Sequence, residues 1–271
     1  MTPSPAIPPI LLVGCGRMGS AMLSGWRERG LAPSFAVDPA PAAKAFAGSD
    51  MTVVADSAEI PGSFRPSAIV LAVKPQNAAE TLPAYRRFAA QSVFLSIMAG
   101  RTIGGMQDLL GNAAAIVRAM PNTPAAVRQG VTVACPSETV TLPQRSLCDQ
   151  LLQAIGVVAW ADREALLDPV TAVSGSGPAY VFLLAELMEK AAIEQGIPTD
   201  LARLLARQTV SGSGALLAAS PEDAAELRKA VTSPGGTTAA ALEVLMAVSA
   251  WPASLSEAIA AATERSRQLA G

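Results

Sequence analysis

Two glycine-rich turns lie near opposite ends of this chain of 271 residues, and each stands where a helix is expected to begin. The first runs from Gly14 to Gly19 and reads Gly-Cys-Gly-Arg-Met-Gly. The second runs from Ser233 to Thr238 and reads Ser-Pro-Gly-Gly-Thr-Thr. A helix N-terminus presents free backbone N–H groups, and glycines let a ligand approach them, so both turns are suited to holding an anion.

The first turn meets the sequence conditions for binding a dinucleotide. A strand-like segment, Ile10–Val13, leads into it and an amphipathic helix follows. In this pattern Gly14 permits the tight turn, Gly16 lets the backbone approach a pyrophosphate, and Gly19 lets helix and strand pack closely. The alternative is a packing turn without a ligand.

An acidic residue, Asp38, directly follows the second predicted strand. An acid at this distance from the glycine turn normally binds the ribose hydroxyls of the adenosine. Its charge would repel a 2′-phosphate, and no basic residue follows before Lys44, so electrostatics favours NADH over NADPH. The alternative is that Asp38 only begins a turn before Pro39.

Two further loops follow predicted strands and lie where an open α/β sheet binds its ligands. Ala72–Gln76 closes the fourth strand, and its Lys74 either points at the cofactor or is a solvated lysine. Met120–Pro124 closes the sixth strand and is stiffened by two prolines. Its Asn122 and Thr123 offer polar groups to a nicotinamide, although a plain loop would look the same.

The second glycine-rich turn and a related one at Ser174–Pro178 each precede a predicted helix. A simple helix cap explains Ser174–Pro178 equally well. The second turn is harder to explain as a cap, because Ser233, Thr237 and Thr238 crowd three hydroxyls around one helix N-terminus. This suits a small carboxylate, with one hydroxyl left for a neighbouring nitrogen. A protein that holds a dinucleotide and a carboxylate side by side can pass a hydride between them.

Composition argues against several other classes of protein. The net charge is −2 without a dense basic cluster, which does not suit a nucleic-acid-binding protein. No apolar run reaches the ~20 residues that cross a bilayer, and Met1–Pro9 lacks the features of a secretion signal, so we expect a cytoplasmic protein without a membrane span. Histidine is absent and the three cysteines have no metal-like spacing, so no metal site is expected.

Up to Asp162, short β-branched runs alternate with helical stretches, which predicts a parallel sheet covered on both faces. The predicted strands are Ile10–Val13, Phe35–Val37, Thr52–Val54, Ala68–Val73, Ser92–Ile97, Ala115–Met120, Gly130–Ala134 and Val157–Trp160. The predicted helices between them are Met18–Arg29, Gln76–Phe88, Thr102–Leu110 and Leu142–Ile155. The spacing from Ala115 to Val131 leaves little room for a crossover helix, so the last strands need not be parallel.

After Asp162 the pattern changes to apolar residues at helical spacing. The predicted helices are Ala179–Gln195, Thr199–Ala219, Pro221–Val231, Thr237–Val248 and Leu255–Leu269. They have too few polar faces to stand alone in water, so we expect a subunit interface. The predicted fold is therefore an α/β Rossmann-like domain over residues 1–162, followed by an all-α domain over residues 163–271.

Several of these motifs together resemble the pyrroline-5-carboxylate reductases, which make proline in its last biosynthetic step. The stretches that carry the resemblance are Gly14–Gly19, Ala72–Gln76, Arg118–Pro124, Val173–Tyr180 and Leu227–Thr238. The first two are shared with other dehydrogenases, whereas the last two together are highly specific. The resemblance implies a C-terminal domain whose helices interleave into a homodimer, and dimers of this family often assemble into decamers.

The resemblance also assigns residues to the site. It places the cofactor on Gly14, Gly16, Arg17, Met18, Gly19, Asp38, Ala72, Val73, Lys74, Pro75 and Asn122. It places the substrate on Ser174, Gly175, Ser233, Gly236, Thr237 and Thr238, with Thr238 as the catalytic residue facing the ring nitrogen. Many relatives carry a polar or basic residue at Asp38, often associated with NADPH, so either NADPH or NADH fits the family.

Two alternative functions fit parts of this sequence. Another imine or hydroxyacid reductase of the same architecture would need a catalytic Lys or Asp on the helix after the Rossmann half, and Lys190 lies too late in Ala179–Gln195. A non-enzymatic dinucleotide-binding protein would be expected to have lost the second turn, and the intact Ser233–Thr238 argues against it.

Overall fold

The computed structural model describes residues 7–270, so residues 1–6 and 271 of the predicted domain ranges lie outside it. The chain divides into two compact units. The first holds the chain up to Gly175 together with the C-terminal residues from Ala262, and the second holds Ser176–Ala261. The boundary after Gly175 lies later in the chain than the predicted boundary after residue 162. The reason is that the segment after the last strand buries Leu167 and Ala172 within the first unit.

The first unit is built on a sheet of eight strands in the order β3-β2-β1-β4-β5-β6-β7-β8. The strands are β1 Ile10–Val13, β2 Ser34–Val37, β3 Met51–Val54, β4 Ala68–Leu71, β5 Val93–Ser96, β6 Ala115–Met120, β7 Gly130–Pro136 and β8 Gly156–Trp160. All eight predicted strands are present, with small changes at their ends. The first six strands pair in parallel in the order 3-2-1-4-5-6, which is that of a dinucleotide-binding fold.

Strand β7 runs antiparallel to β6, which confirms that the last strands depart from the parallel pattern. Only a short 3₁₀ helix, Thr123–Val127, lies between the two strands. A parallel pair would need a crossover of a dozen or more residues. The loop that closes β6 is therefore held close to the sheet.

Four α-helices accompany the strands: α1 Arg17–Glu28, α2 Ala78–Thr81, α3 Ile103–Leu110 and α4 Leu142–Gln153. The prediction of a single helix over Gln76–Phe88 is wrong, because only α2 is α-helical in this stretch and 3₁₀ turns flank it at Pro75–Asn77 and Leu82–Phe88. Pro83 explains the break, since proline lacks an N–H and its ring clashes with the carbonyl four residues earlier.

Helix α1 packs on the sheet through residues at helical spacing. Met22, Leu23 and Trp26 are buried, and the Trp26 indole Nε1–H donates to the Leu151 carbonyl on α4 at 2.9 Å. Burying a large aromatic side chain with its N–H satisfied stabilises the fold by a few kcal/mol, about 2 to 3 from apolar area alone. This packing fixes the direction in which α1 leaves the glycine-rich turn.

The remainder of the chain is helical, as predicted. The helices are α5 Leu167–Val170, α6 Gly177–Glu194, α7 Thr199–Ala219, α8 Ala224–Ala230, α9 Thr237–Leu245 and α10 Trp251–Ala270. The last helix begins at Trp251, earlier than predicted, because Pro252 occupies its first turn, where a missing N–H costs nothing. Its C-terminal end belongs to the first unit, where the Ser266 hydroxyl donates to Asp168 Oδ1 at 2.8 Å.

The second unit buries little of its own apolar surface. Ala202 and Ala206 are its buried hydrophobic residues, whereas Phe182 is 67% exposed. One helical stretch among the described residues, Glu164–Glu194, is long and apolar enough to span a bilayer by length and composition, and 6% of its most apolar 18 residues are buried. Exposed apolar area on this scale marks a surface that another molecule covers.

Candidate active site

The glycine-rich turn after β1 has the geometry expected of a pyrophosphate site. Gly14 has φ +97°, and a Cβ there would lie 2.7 Å from the Ala72 carbonyl oxygen. A Cβ on Gly19 would overlap the Gly14 carbonyl oxygen. Gly16 differs from both, because nothing lies within 4 Å of a Cβ built on it. Gly14 and Gly19 are thus required by packing, and Gly16 leaves open the space that a ligand would use.

The N-terminus of α1 is available to an anion. Gly16 is its N-cap, and no side chain caps this end of the helix. The first-turn N–H groups of an α-helix have no acceptor within the helix, and here they belong to Arg17, Met18 and Gly19. Gly16 and Arg17 are exposed and Met18 is half-buried, so solvent reaches this end of the helix.

Asp38 closes the glycine-rich turn from the end of β2. Its Oδ2 accepts the Cys15 N–H at 2.7 Å, and its Oδ1 accepts the Ala40 N–H at 2.9 Å. Each carboxylate oxygen keeps a lone pair for another donor. Asp38 is therefore held at the rim of the turn and remains able to accept hydrogen bonds from a ligand.

Cys15 within the same turn is not a nucleophile at neutral pH. Burial, with a smaller contribution from the Asp38 carboxylate, raises the pKa of its thiol to about 11. The residue stays a neutral thiol, as the sequence predicts for an ordinary reduced cysteine.

The loop after β4 packs directly against the glycine-rich turn. The Ala72 N–H donates to the Val13 carbonyl at 2.8 Å, and the Ala72 carbonyl oxygen and carbon are the atoms nearest to a Cβ built on Gly14. Val73 is half-buried, while Lys74 is exposed and precedes the 3₁₀ helix that begins at Pro75. The residues predicted for the cofactor in this loop are thus at the edge that carries Gly14.

A residue that the sequence pattern did not reveal supports this loop. The Arg101 Nε–H donates to the Pro75 carbonyl at 2.8 Å. Arg101 follows β5, so this hydrogen bond ties together the loops that end two neighbouring strands. A lone arginine in a loop carries no local signal of such a role.

Asn122 has a structural partner. Its Oδ1 accepts the Val131 N–H at 2.9 Å, which closes the loop between β6 and β7. This fixes the side-chain orientation and leaves the amide NH₂ for a ligand. The rigidity that the two flanking prolines predict is reinforced by this bond.

The segment predicted as a turn at Ser174–Pro178 is largely helical instead. Ser174 and Gly175 end a π-helical turn, Thr171–Gly175, continuous with α5, and α6 begins at Gly177. The Ser174 hydroxyl donates to the Val170 carbonyl at 3.0 Å. Gly175 packs against β6, since a Cβ on it would lie 2.8 Å from Met120 Cε. Single π-helical turns occur frequently at functional sites because they redirect side chains within a helix.

The second glycine-rich turn brings four of the predicted substrate residues onto one helix start. The Gly236 N–H donates to the Ser233 carbonyl at 3.0 Å, and Gly235 has φ +68°. Gly236 is the N-cap of α9, and no side chain caps that end of the helix. Ser233 and Thr237 are exposed and Thr238 is half-buried. This turn lies in the second unit, whereas the cofactor residues lie in the first.

Family models match both parts of the chain. One for coenzyme F420-dependent NADP oxidoreductases covers residues 9–100, and one for the dimerisation region of pyrroline-5-carboxylate reductase covers residues 164–269. The pyrroline-5-carboxylate reductase of Pseudomonas aeruginosa is 35% identical over 266 residues, which is 97% of each chain. This chain belongs to the pyrroline-5-carboxylate reductase family.

Solved structures of pyrroline-5-carboxylate reductases match the fold along the chain. The one from Coxiella burnetii has a TM-score of 0.89 at 31% identity and covers 97% of this chain and 98% of its own. The one from Plasmodium falciparum, solved with NADP bound, has a TM-score of 0.82 at 27% identity with the same coverage. The predicted combination of a Rossmann-like domain and an all-α dimerisation domain is confirmed.

Membership in this family accounts for the exposed helices. The dimerisation match includes the apolar stretch Glu164–Glu194, so a partner subunit explains the exposed side chains of that stretch. Family members are oxidoreductases that use nicotinamide dinucleotides, and the geometry around Gly16 fits that cofactor class. The expectation of a homo-oligomer with a small-molecule substrate is confirmed.

Proposed function

We propose that this protein reduces 1-pyrroline-5-carboxylate to L-proline with a reduced nicotinamide dinucleotide, the last step of proline biosynthesis. The observation that carries the proposal is the near-complete match, at 35% identity over 97% of both chains, to a reductase of that name. The open glycine-rich turn at Gly16 and the uncapped turn before α9 support the assignment of the two anion sites that the reaction needs.

The cofactor would lie along the glycine-rich turn with its pyrophosphate at the N-terminus of α1 and its ribose hydroxyls at Asp38. When bound, reduced nicotinamide supplies the hydride that the imine carbon accepts. Asp38 uses one lone pair of each oxygen on the backbone and keeps a negative charge where a 2′-phosphate would sit. This favours NADH over NADPH as the donor for this chain.

The substrate carboxylate would bind at the start of α9, on Ser233, Gly236 and Thr237. Uncapped N–H groups and the positive end of the helix dipole favour an anion there. Holding the carboxylate fixes the ring, so catalysis is mainly by positioning. Thr238 would hydrogen-bond the ring nitrogen as that nitrogen gains electron density. A hydroxyl is a poor acid, so the proton comes from water or arrives on an already protonated imine.

The site would operate in a homodimer, with the dimers assembled further into a decamer, in the cytoplasm. The apolar faces of α6 and α7 support the dimer, because they are too exposed for a free monomer. Ser174 and Gly175 would take part in substrate binding from the first unit.

The decisive experiment is an initial-rate assay with 1-pyrroline-5-carboxylate and each nicotinamide cofactor in turn, with L-proline measured as product. We expect turnover with both cofactors and a higher kcat/KM with NADH. No turnover with either cofactor, in a protein that is folded and oligomeric, would overturn the proposed function. Turnover that favours NADPH would overturn only the assignment of Asp38.

A further inference from the structure

An ion pair between a buried arginine and a glutamate whose side chain is 28% exposed joins the start of the helical segment 164–175 to the sheet. Arg118 on β6 has a side chain that is 6% exposed, and its Nη1 donates to Glu164 Oε1 at 2.8 Å. The same carboxylate oxygen accepts the backbone N–H of Ile103, the first residue of α3, at 2.8 Å. One side chain therefore connects β6, the N-terminus of α3 and the segment that follows β8.

The far end of this segment rests on the same strand. Gly175 packs against Met120, the last residue of β6, since a Cβ built on Gly175 would lie 2.8 Å from Met120 Cε. Segment 164–175 is thus held against β6 at both ends, by Arg118 at its start and by Met120 at its finish. Ser174 lies beside the second of these contacts, and Asn122 follows Met120 in the chain.

The ion pair cannot be exchanged freely for a neutral contact. A guanidinium that is almost fully buried needs a compensating charge, and removing one partner of such a pair leaves the other buried and unpaired. The negative charge of Glu164 also lies at the N-terminus of α3, where the helix dipole stabilises it. The carboxylate is therefore the member of the pair that contacts both β6 and α3.

We propose that Glu164 is a positioning residue for the reduction: through Arg118 and Ile103 it sets where Ser174 and Gly175 lie relative to the cofactor loop at Asn122. The proposal rests on the proposed function and extends it to a residue that would not touch substrate or cofactor. Hydride transfer depends steeply on approach, and a misplacement of ~1 Å can cost about 100-fold in rate.

The test is Glu164→Gln, which keeps the shape and an oxygen for the Ile103 N–H but removes the charge that faces Arg118. We expect kcat to fall at least about fivefold and the KM for 1-pyrroline-5-carboxylate to rise, since the variant disturbs the reacting geometry. The Kd for NADH, measured by fluorescence, should stay within about twofold of wild type, because the glycine-rich turn is untouched.

A matched control is available in the ion pair between Arg27 and Asp50. It lies in the same unit at 2.9 Å, with side chains 32% and 25% exposed, and no predicted site residue takes part in it. Asp50→Asn should lower the melting temperature and leave kcat and KM unchanged. If Glu164→Gln behaves like this control, its role is only structural and the proposal is overturned.

Two further measurements keep the proposal testable. The double variant Arg118→Gln/Glu164→Gln removes the unpaired charge, so it should fold even if Glu164→Gln does not, and its kcat should remain at least about fivefold below wild type. Hydrogen exchange of the backbone amides 164–175 should speed up in both Glu164 variants and not in Asp50→Asn. Unchanged exchange overturns the proposal for Glu164, and this measurement does not depend on turnover. A wild type that fails to reduce 1-pyrroline-5-carboxylate overturns the proposed function, and the exchange measurement can still be made on it.

Discussion

Adding one methyl group at Gly16 or at Gly14 should separate ligand binding from folding. Gly16 has φ −64°, and a Cβ on it would have no atom within 4 Å, so Gly16→Ala costs the free protein almost nothing. The methyl would occupy the space into which the pyrophosphate must come to reach the N-terminus of α1. Losing one charge-assisted hydrogen bond there is worth about 1.5–3 kcal/mol, which raises the Kd for NADH about 10- to 150-fold.

Gly14→Ala should act on the fold instead. The residue has φ +97°, and its Cβ would lie 2.7 Å from the Ala72 carbonyl oxygen. A side chain in this backbone region costs about 1–3 kcal/mol before the overlap with Ala72 is relieved. For a chain of this size that is a loss of about 2–10 °C in melting temperature.

The assay is thermal unfolding of the free proteins together with fluorescence titration by NADH. We expect Gly16→Ala to keep the wild-type melting temperature and to bind NADH weakly, and Gly14→Ala to melt early. Unaltered NADH affinity in Gly16→Ala would refute the assignment of the pyrophosphate to this turn. A wild-type melting temperature for Gly14→Ala would refute the packing argument.

Three more outcomes are expected. Thr238→Ala should lower kcat about 10-fold or more with little change in NADH affinity, because it loses a hydrogen bond made in the transition state. Steady-state kinetics at saturating NADH measure this change, and an unchanged kcat would contradict the role of Thr238. Asp38→Ser should raise kcat/KM with NADPH relative to NADH, since it removes the charge that repels a 2′-phosphate; a constant ratio in parallel assays argues against the ribose assignment. The pKa of the Cys15 thiol is raised from 9.0 to about 11, so the folded form keeps a proton that the unfolded form has lost. The free energy of unfolding should therefore fall by about 1 kcal/mol per pH unit between pH 9 and 11, and be unaffected by this group below pH 9. Denaturant unfolding of Cys15→Ala should show a shallower slope in that window, and equal slopes would contradict the shift.

Much of the fold could be predicted from local signals. The eight strands were recognisable because buried parallel strands are short β-branched runs bounded by turns, as in Ala68–Leu71. Connection length alone indicated that the last strands need not be parallel, and the structure shows that β7 is the strand that runs antiparallel to β6. The prediction of one helix over Gln76–Phe88 was wrong, because it relied on the helical spacing of apolar residues and ignored Pro83. The missing N–H of that proline breaks the helix.

The glycine-rich turns were also predictable, because each contains a backbone conformation that favours glycine: Gly14 and Gly235 both have positive φ. Gly14 illustrates this, since its positive φ and its close approach to Ala72 both exclude a side chain. The second glycine-rich turn was recognisable for the same reason, from Gly235 and Gly236 before the hydroxyls of α9.

The sequence by itself determined which segments form strands and which form glycine-rich turns at helix starts, since these properties reside in neighbouring residues and their backbone torsions. Only the tertiary structure decided that Arg118 meets Glu164, that Arg101 supports Pro75 and that Gly175 rests on Met120. Each of these contacts joins residues far apart in the chain, and it forms only because the strand order brings the carboxyl ends of β4, β5 and β6 to one edge of the sheet. A charged or small residue looks the same in sequence whether solvent or another segment lies beside it, so its partner is set by the packing of the whole unit.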